Sequence, residues 1–147
     1  MLQTTLANPS PFSTRPKTLA EAVARVNAGE SYDLRLAEFL DTFYALVRAG
    51  DLDGALSAID AEPPRMADQV RHAFIGGMAE HLARRWSLPR IPAWTNHPSR
   101  FLHEPVFDLS SPSVRAIYLV ESPIAFRRRL IFTEAVPLRR ASMPVTA

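Results

Sequence analysis

The chain has 147 residues, 47% of them hydrophobic and 22% charged, a formal charge of +2 and no cysteine. This is the composition of one globular domain with a sizeable core, and the lack of cysteine excludes disulfides, thiolate metal sites and cysteine nucleophiles. No apolar run approaches the roughly 18 residues of a membrane-spanning helix, so no membrane partner is expected.

Residues 1–16 hold three prolines among small polar residues and read as a flexible arm. They lack a basic start followed by an apolar core, the mark of a secretory signal, so a cytoplasmic location is expected. Thr18 and Glu21 form a capping box, and Leu19, Val23 and Val26 recur at helical spacing until Gly29. Ser31 opens a second helix whose broad apolar face is Leu36, Phe39, Leu40, Phe43, Tyr44 and Val47, ending at Gly50. Asp51 starts a third helix that runs through Ile59 and stops before Pro63-Pro64. A long fourth helix is predicted from Met66 to Trp86, with Val70, Phe74, Met78, Leu82 and Trp86 as its core-facing stripe and Phe74 and Leu82 nearly fully buried. Gly76-Gly77 inside it predicts a close approach of a neighbouring element.

From Leu88 to Leu109 the prolines 89, 92, 98 and 105 alternate with Trp94, Phe101 and Phe107, which predicts an ordered loop packed by its own aromatics. Ser111-Pro112 and Ser122-Pro123 are helix-start pairs that predict short helices at 112–120 and 123–132, followed by a turn near 137–142. Ala116–Val120 and Leu130–Phe132 are alternatively short strands. The expected architecture is therefore an all-α domain of about five to seven helices over 17–143 with a tail at 144–147, the alternative being α+β.

Catalytic signatures are scarce. With five glycines and no glycine-rich phosphate motif or nucleophile elbow, no nucleotide cofactor is expected. Asp51, Asp53 and Glu62 match a calcium-loop spacing, but Ala55 and Leu56 replace a ligand and the required glycine. His72 and His81 lie on opposite sides of a helix, and Glu80 with Arg84 reads as a surface pair. The loop residues Trp94, His97, His103 and Asp108 are the candidates for a small enzyme site, although their spacing fits no established metal-ligand pattern.

The charge is uneven. Residues 1–64 carry five basic and nine acidic side chains, whereas residues 65–147 carry twelve arginines and six acids. Arg127, Arg128 and Arg129 stand at the centre of this bias. Successive helical residues fan across about 200°, so at least one must lie along the domain and pair with a carboxylate such as Glu121 or Glu134. The others, with Arg100, Arg139 and Arg140, are candidates for a partner-binding surface, and an internally paired cluster or a nucleic-acid surface are the competing readings.

Several strings carry a resemblance: Ala79-Glu80-His81-Leu82-Ala83-Arg84-Arg85, Pro92-Ala93-Trp94, Arg100-Phe101-Leu102 with Pro105 and Phe107, Glu121-Ser122-Pro123, Ala125-Phe126-Arg127-Arg128-Arg129, and Ile131-Phe132. Over its C-terminal two-thirds the chain resembles short bacterial proteins encoded beside nucleotidyltransferase-like and other toxin genes. That resemblance implies an antitoxin or accessory partner of a toxin enzyme, with a protein as its binding partner and no assigned catalytic residue. The expectation is thus a non-catalytic protein-binding module. A small enzyme using the Trp94–Asp108 loop and a nucleic-acid-binding regulator are the alternatives.

Overall fold

The computed structural model describes residues 15–108 and 112–145, so most of the expected N-terminal arm and the Ser111 cap lie outside the described residues. Helix α1 (Leu19–Asn27) starts on the expected cap: Thr18 accepts the Glu21 amide at 3.0 Å, while the Glu21 carboxylate takes the Lys17 amide at 3.0 Å. Helix α2 (Tyr32–Arg48) is capped by Ser31 and α3 (Leu52–Asp60) by Asp51, each through its side-chain oxygen. Gly29 and Gly50 follow α1 and α2 with φ of 107° and 74°, a left-handed backbone that a residue without Cβ adopts at least cost.

Helix α4 runs from Gln69 to Arg85, with Asp68 accepting the amides of Val70 and Arg71 and Trp86 as its C-terminal cap. Its burial differs from the predicted stripe. Met78 and Leu82 are buried, but Phe74 is only partly so and Val70 is 40% exposed. Ala73, Gly76, Gly77, Glu80 and Ala83 are buried as well, so α4 is enclosed on most of its circumference rather than along one seam. One part of that surface joins the hydrophobic cluster that holds Phe39, Phe43, Tyr44 and Ile59; another faces the segment after residue 90.

That segment is ordered, as expected, but as two short turns of 3-10 helix, Ala93–Asn96 and Pro98–Arg100, packed on α4. Trp94 donates its indole N–H to the Ile59 carbonyl at 3.1 Å, which ties the loop to α3. Strand β1 (Val106–Phe107) follows, then helix α5 (Pro112–Glu121), the short α6 (Ile124–Arg127) and β2 (Ile131–Phe132). The strands are parallel, Val106 opposite Ile131 and Phe107 opposite Phe132, with the two phenylalanine rings stacked at 4.9 Å.

Two expectations are corrected here. The helix predicted over 123–132 ends at Arg127, because Leu130 adopts a left-handed backbone with φ of 64° and turns the chain into β2. Leu130–Phe132 is thus closer to the strand alternative, whereas Ala116–Val120 is helical. Nor does Ser122 cap α6. Its hydroxyl donates to the Thr133 carbonyl at 3.0 Å and accepts the Thr133 amide at 2.9 Å, anchoring the end of α5 beside β2. The architecture remains a mostly helical domain, with six α-helices and one two-stranded sheet among the described residues.

Candidate functional site

The three consecutive arginines go to three different environments. Arg129, just past the end of α6, is fully buried, and its guanidinium donates to the Glu80 carboxylate at 2.6 Å, to the Ala125 carbonyl at 2.7 Å and to the Thr95 carbonyl. Arg128 is partly exposed and reaches Glu80 at 3.3 Å and the Asn96 side-chain oxygen at 2.7 Å. Arg127 points away from this cluster and donates to the Val120 carbonyl at 3.2 Å. The carboxylate expected to pair with this cluster was Glu121 or Glu134; the one that does is Glu80.

Glu80 is 1% exposed, so it is not the surface residue expected from its spacing with Arg84. Arg84 reaches it at 2.8 Å, making three arginines around one carboxylate. Burial pushes the Glu80 carboxyl upward, but hydrogen bonds and charge from Arg129, Arg84 and Arg128 outweigh it and hold the group below the ordinary glutamate range. The same burial lowers the pKa of Arg129, opposed by Glu80.

The glycine pair explains how these groups fit. A Cβ on Gly76 would lie 3.0 Å from the Arg100 Cβ and 3.2 Å from the Arg129 Nε. One on Gly77 would lie 2.8 Å from the Phe126 ring. The close approach predicted for Gly76-Gly77 is therefore made by side chains, two of them cationic. Arg100 is also fully buried; it donates to the Pro63 carbonyl at 2.9 Å and the His72 carbonyl at 3.1 Å and lies 4.8 Å over the Trp94 ring. Phe101 receives both Arg129 and Arg128, at 4.6 and 5.0 Å. Arg100 and Arg129 are thus internal, which removes both from the partner surface expected of them. Arg139 pairs with Glu134 at 3.2 Å, and Arg140 with Asp41 at 2.8 Å, tying the C-terminal segment to α2.

The loop candidates are separated. Trp94 is engaged with Ile59 and Arg100. The His97 Nδ1 accepts the Ser99 amide at 3.1 Å and lies 2.9 Å from the Ser99 hydroxyl, capping the second 3-10 turn. His103 lines a groove of about 300 Å³ with Gln69, Val70, Leu102, Glu104 and Val106, and Asp108 donates its amide to Phe132 in the strand ladder. Among the described residues no group of three or more His, Asp or Glu side chains is placed to hold a metal ion.

His72, given no role from the sequence, completes this region. Its Nδ1 accepts the Met66 amide at 3.3 Å and faces Arg100, which leaves Nε2–H to donate to the Ser99 hydroxyl at 3.0 Å. The hydroxyl proton then points to His97. Burial first, and then the Arg100 charge, press the His72 pKa down to about 4, so the ring is neutral. The chain of contacts fastens the loop to α4, and His97 has spent its inner nitrogen as a cap.

The exposed feature of the C-terminal region is apolar. Val120 is 74% exposed, Ile117 51%, Leu119 50% and, at the start of α6, Ile124 48%. Opposite them Val114 and Tyr118 turn inward, and Ser122 is buried, so α5 is held along one edge and bare along the other. The helix expected over 112–120 is present, and the strand alternative for Ala116–Val120 is not; that its apolar side chains face outward is visible only in the structure. No protein family, curated protein or solved structure matches the chain.

Proposed function

We propose that this chain is a non-catalytic protein-binding module whose contact surface is the apolar face of α5 and the start of α6. The reading is carried by the exposure of Ile117, Leu119, Val120 and Ile124 within one short stretch. Single exposed apolar residues are ordinary, but four together form a patch that a partner gains by covering, at about 25 cal/mol per Å² of apolar surface removed from water. The interior placement of Arg100 and Arg129 favours this over a nucleic-acid regulator, because donors that would grip a phosphate backbone are spent inside the domain. The resemblance to proteins encoded beside toxin genes makes a toxin enzyme the partner we propose, restrained by steric occlusion.

The experiment is co-expression with the product of the adjacent reading frame. The two proteins should co-purify, the toxic effect should be neutralised, and the paired substitution Ile117→Asp with Val120→Asp should abolish both while leaving the fold intact. Retention of the partner by that variant would refute the surface. A neighbour that neither arrests growth nor binds would refute the toxin reading.

A further inference from the structure

We infer that the element seated on this face is an amphipathic helix of the partner with acidic residues along its flanks. The inference rests on the protein-binding reading of α5 and names the chemistry of the occupant. At about 100° per residue, Leu119, Ala116, Val120 and Ile117 sweep an arc of about 160°. Arg115 borders the Leu119 edge, with its guanidinium 5.1 Å over the Phe107 ring, and Glu121 borders the Ile117 edge. Arg127 stands at the C-terminal end, bonded to the Val120 carbonyl.

A helix fits this face better than a strand does. The backbone groups of α5 are bonded within the helix, so the face offers no ladder to an extended chain, only side-chain ridges at i, i+3 and i+4 that fill the groove of another helix. The ten residues of α5 span about 15 Å, the length of about three turns of an occupant.

Charge selects the occupant's rim. Arg115 and Arg127 border the face against one carboxylate, Glu121, while Arg128 is turned to Glu80 and Asn96. A second copy of this chain brings the same excess, so a twofold contact here sets like charges together, whereas acidic flanks answer it. The apolar arc also lacks the aromatic residues that an interfacial membrane helix uses, which favours a protein over a lipid surface.

A phage-displayed library of single amphipathic helices, with a constant leucine face and randomised flanks, tests this against the full chain and its Val120→Asp variant. Clones that bind the parent and fail on the variant should carry net acidic flanks, and Arg115→Glu with Arg127→Glu should weaken them by about tenfold or more, about 1.4 kcal/mol. Val120-dependent clones with neutral or basic flanks would overturn the acidic occupant and leave the binding surface standing. No Val120-dependent clone would overturn the surface itself. Two controls assign the source: Val120-dependent flotation with phosphatidylcholine–phosphatidylserine vesicles, or Val120-dependent dimerisation on sedimentation, would each overturn the proposal.

Discussion

The packing around Gly76 and the packing of α5 are opposites. Around Gly76 three buried charged side chains, Glu80, Arg100 and Arg129, sit in the interior among Phe126, Trp94 and Phe101. On α5, Ile117, Leu119 and Val120 are large apolar side chains left in water. Polarity therefore fails to predict burial in either place, for complementary reasons. A guanidinium goes inside when carbonyls and a carboxylate meet its donors, as they do for Arg129. An apolar helix face stays outside when, among the described residues, no segment crosses it. The first region stabilises the fold; the second is the surface we propose for a partner.

The largest effect should come from breaking the interior pairing. Glu80→Gln leaves Arg129 buried without its counter-ion, and denaturant unfolding should show a loss of about 3–5 kcal/mol. A loss below about 1 kcal/mol would mean that water, not Glu80, solvates the arginines. Stability should next depend on pH through His72 and His81, both pressed down to about 4, His72 by burial and Arg100, His81 by burial and Arg85. Their folded pKa lies below the ordinary 6.5, so the unfolded chain takes up protons that the folded chain refuses, and stability falls as pH falls through that window. Unfolding free energies at pH 7 and 5 should differ by about 1–3 kcal/mol, with Glu80 still ionised; a flat profile would place both rings in water.

Gly77→Ala sharpens the same contrast by geometry. The steric cost of meeting Phe126 at 2.8 Å is about 1–3 kcal/mol, and alanine returns about 1 kcal/mol of helix propensity, for a net loss of about 0–2 kcal/mol. A stabilised variant would show that the ring yields freely. The smallest effect belongs to α5: Val120→Ser should change unfolding by no more than about 0.5 kcal/mol and still weaken partner capture. A large loss of stability would mean that this face packs within the domain.

The sequence made the helices legible where caps and apolar spacing agree, as at Thr18, Ser31 and Asp51. It made the glycine pair legible as a close approach without naming what approaches. Burial of Glu80 was hidden, because a carboxylate followed by arginine at i+4 looks the same on a surface helix, and its decisive partner lies 49 residues away. The arginine run was legible as three directions and no more; which direction points inward depends on the turn at Leu130, a conformation that leucine rarely signals. The helix over 112–120 was legible from its Ser-Pro start, but the exposure of its apolar arc was not, because apolar content alone does not say whether another segment covers a face.

The most direct test compares two members of the arginine run, Arg129→Met and Arg127→Met, by unfolding free energy. Arg129→Met takes the shortest ion pair from Glu80, which keeps Arg84 and Arg128, and strands the carbonyls of Ala125 and Thr95; it should cost about 3–5 kcal/mol, while Arg127→Met should stay within about 0.5 kcal/mol. Equal, small losses at both positions would contradict an interior arginine and return the whole run to the surface.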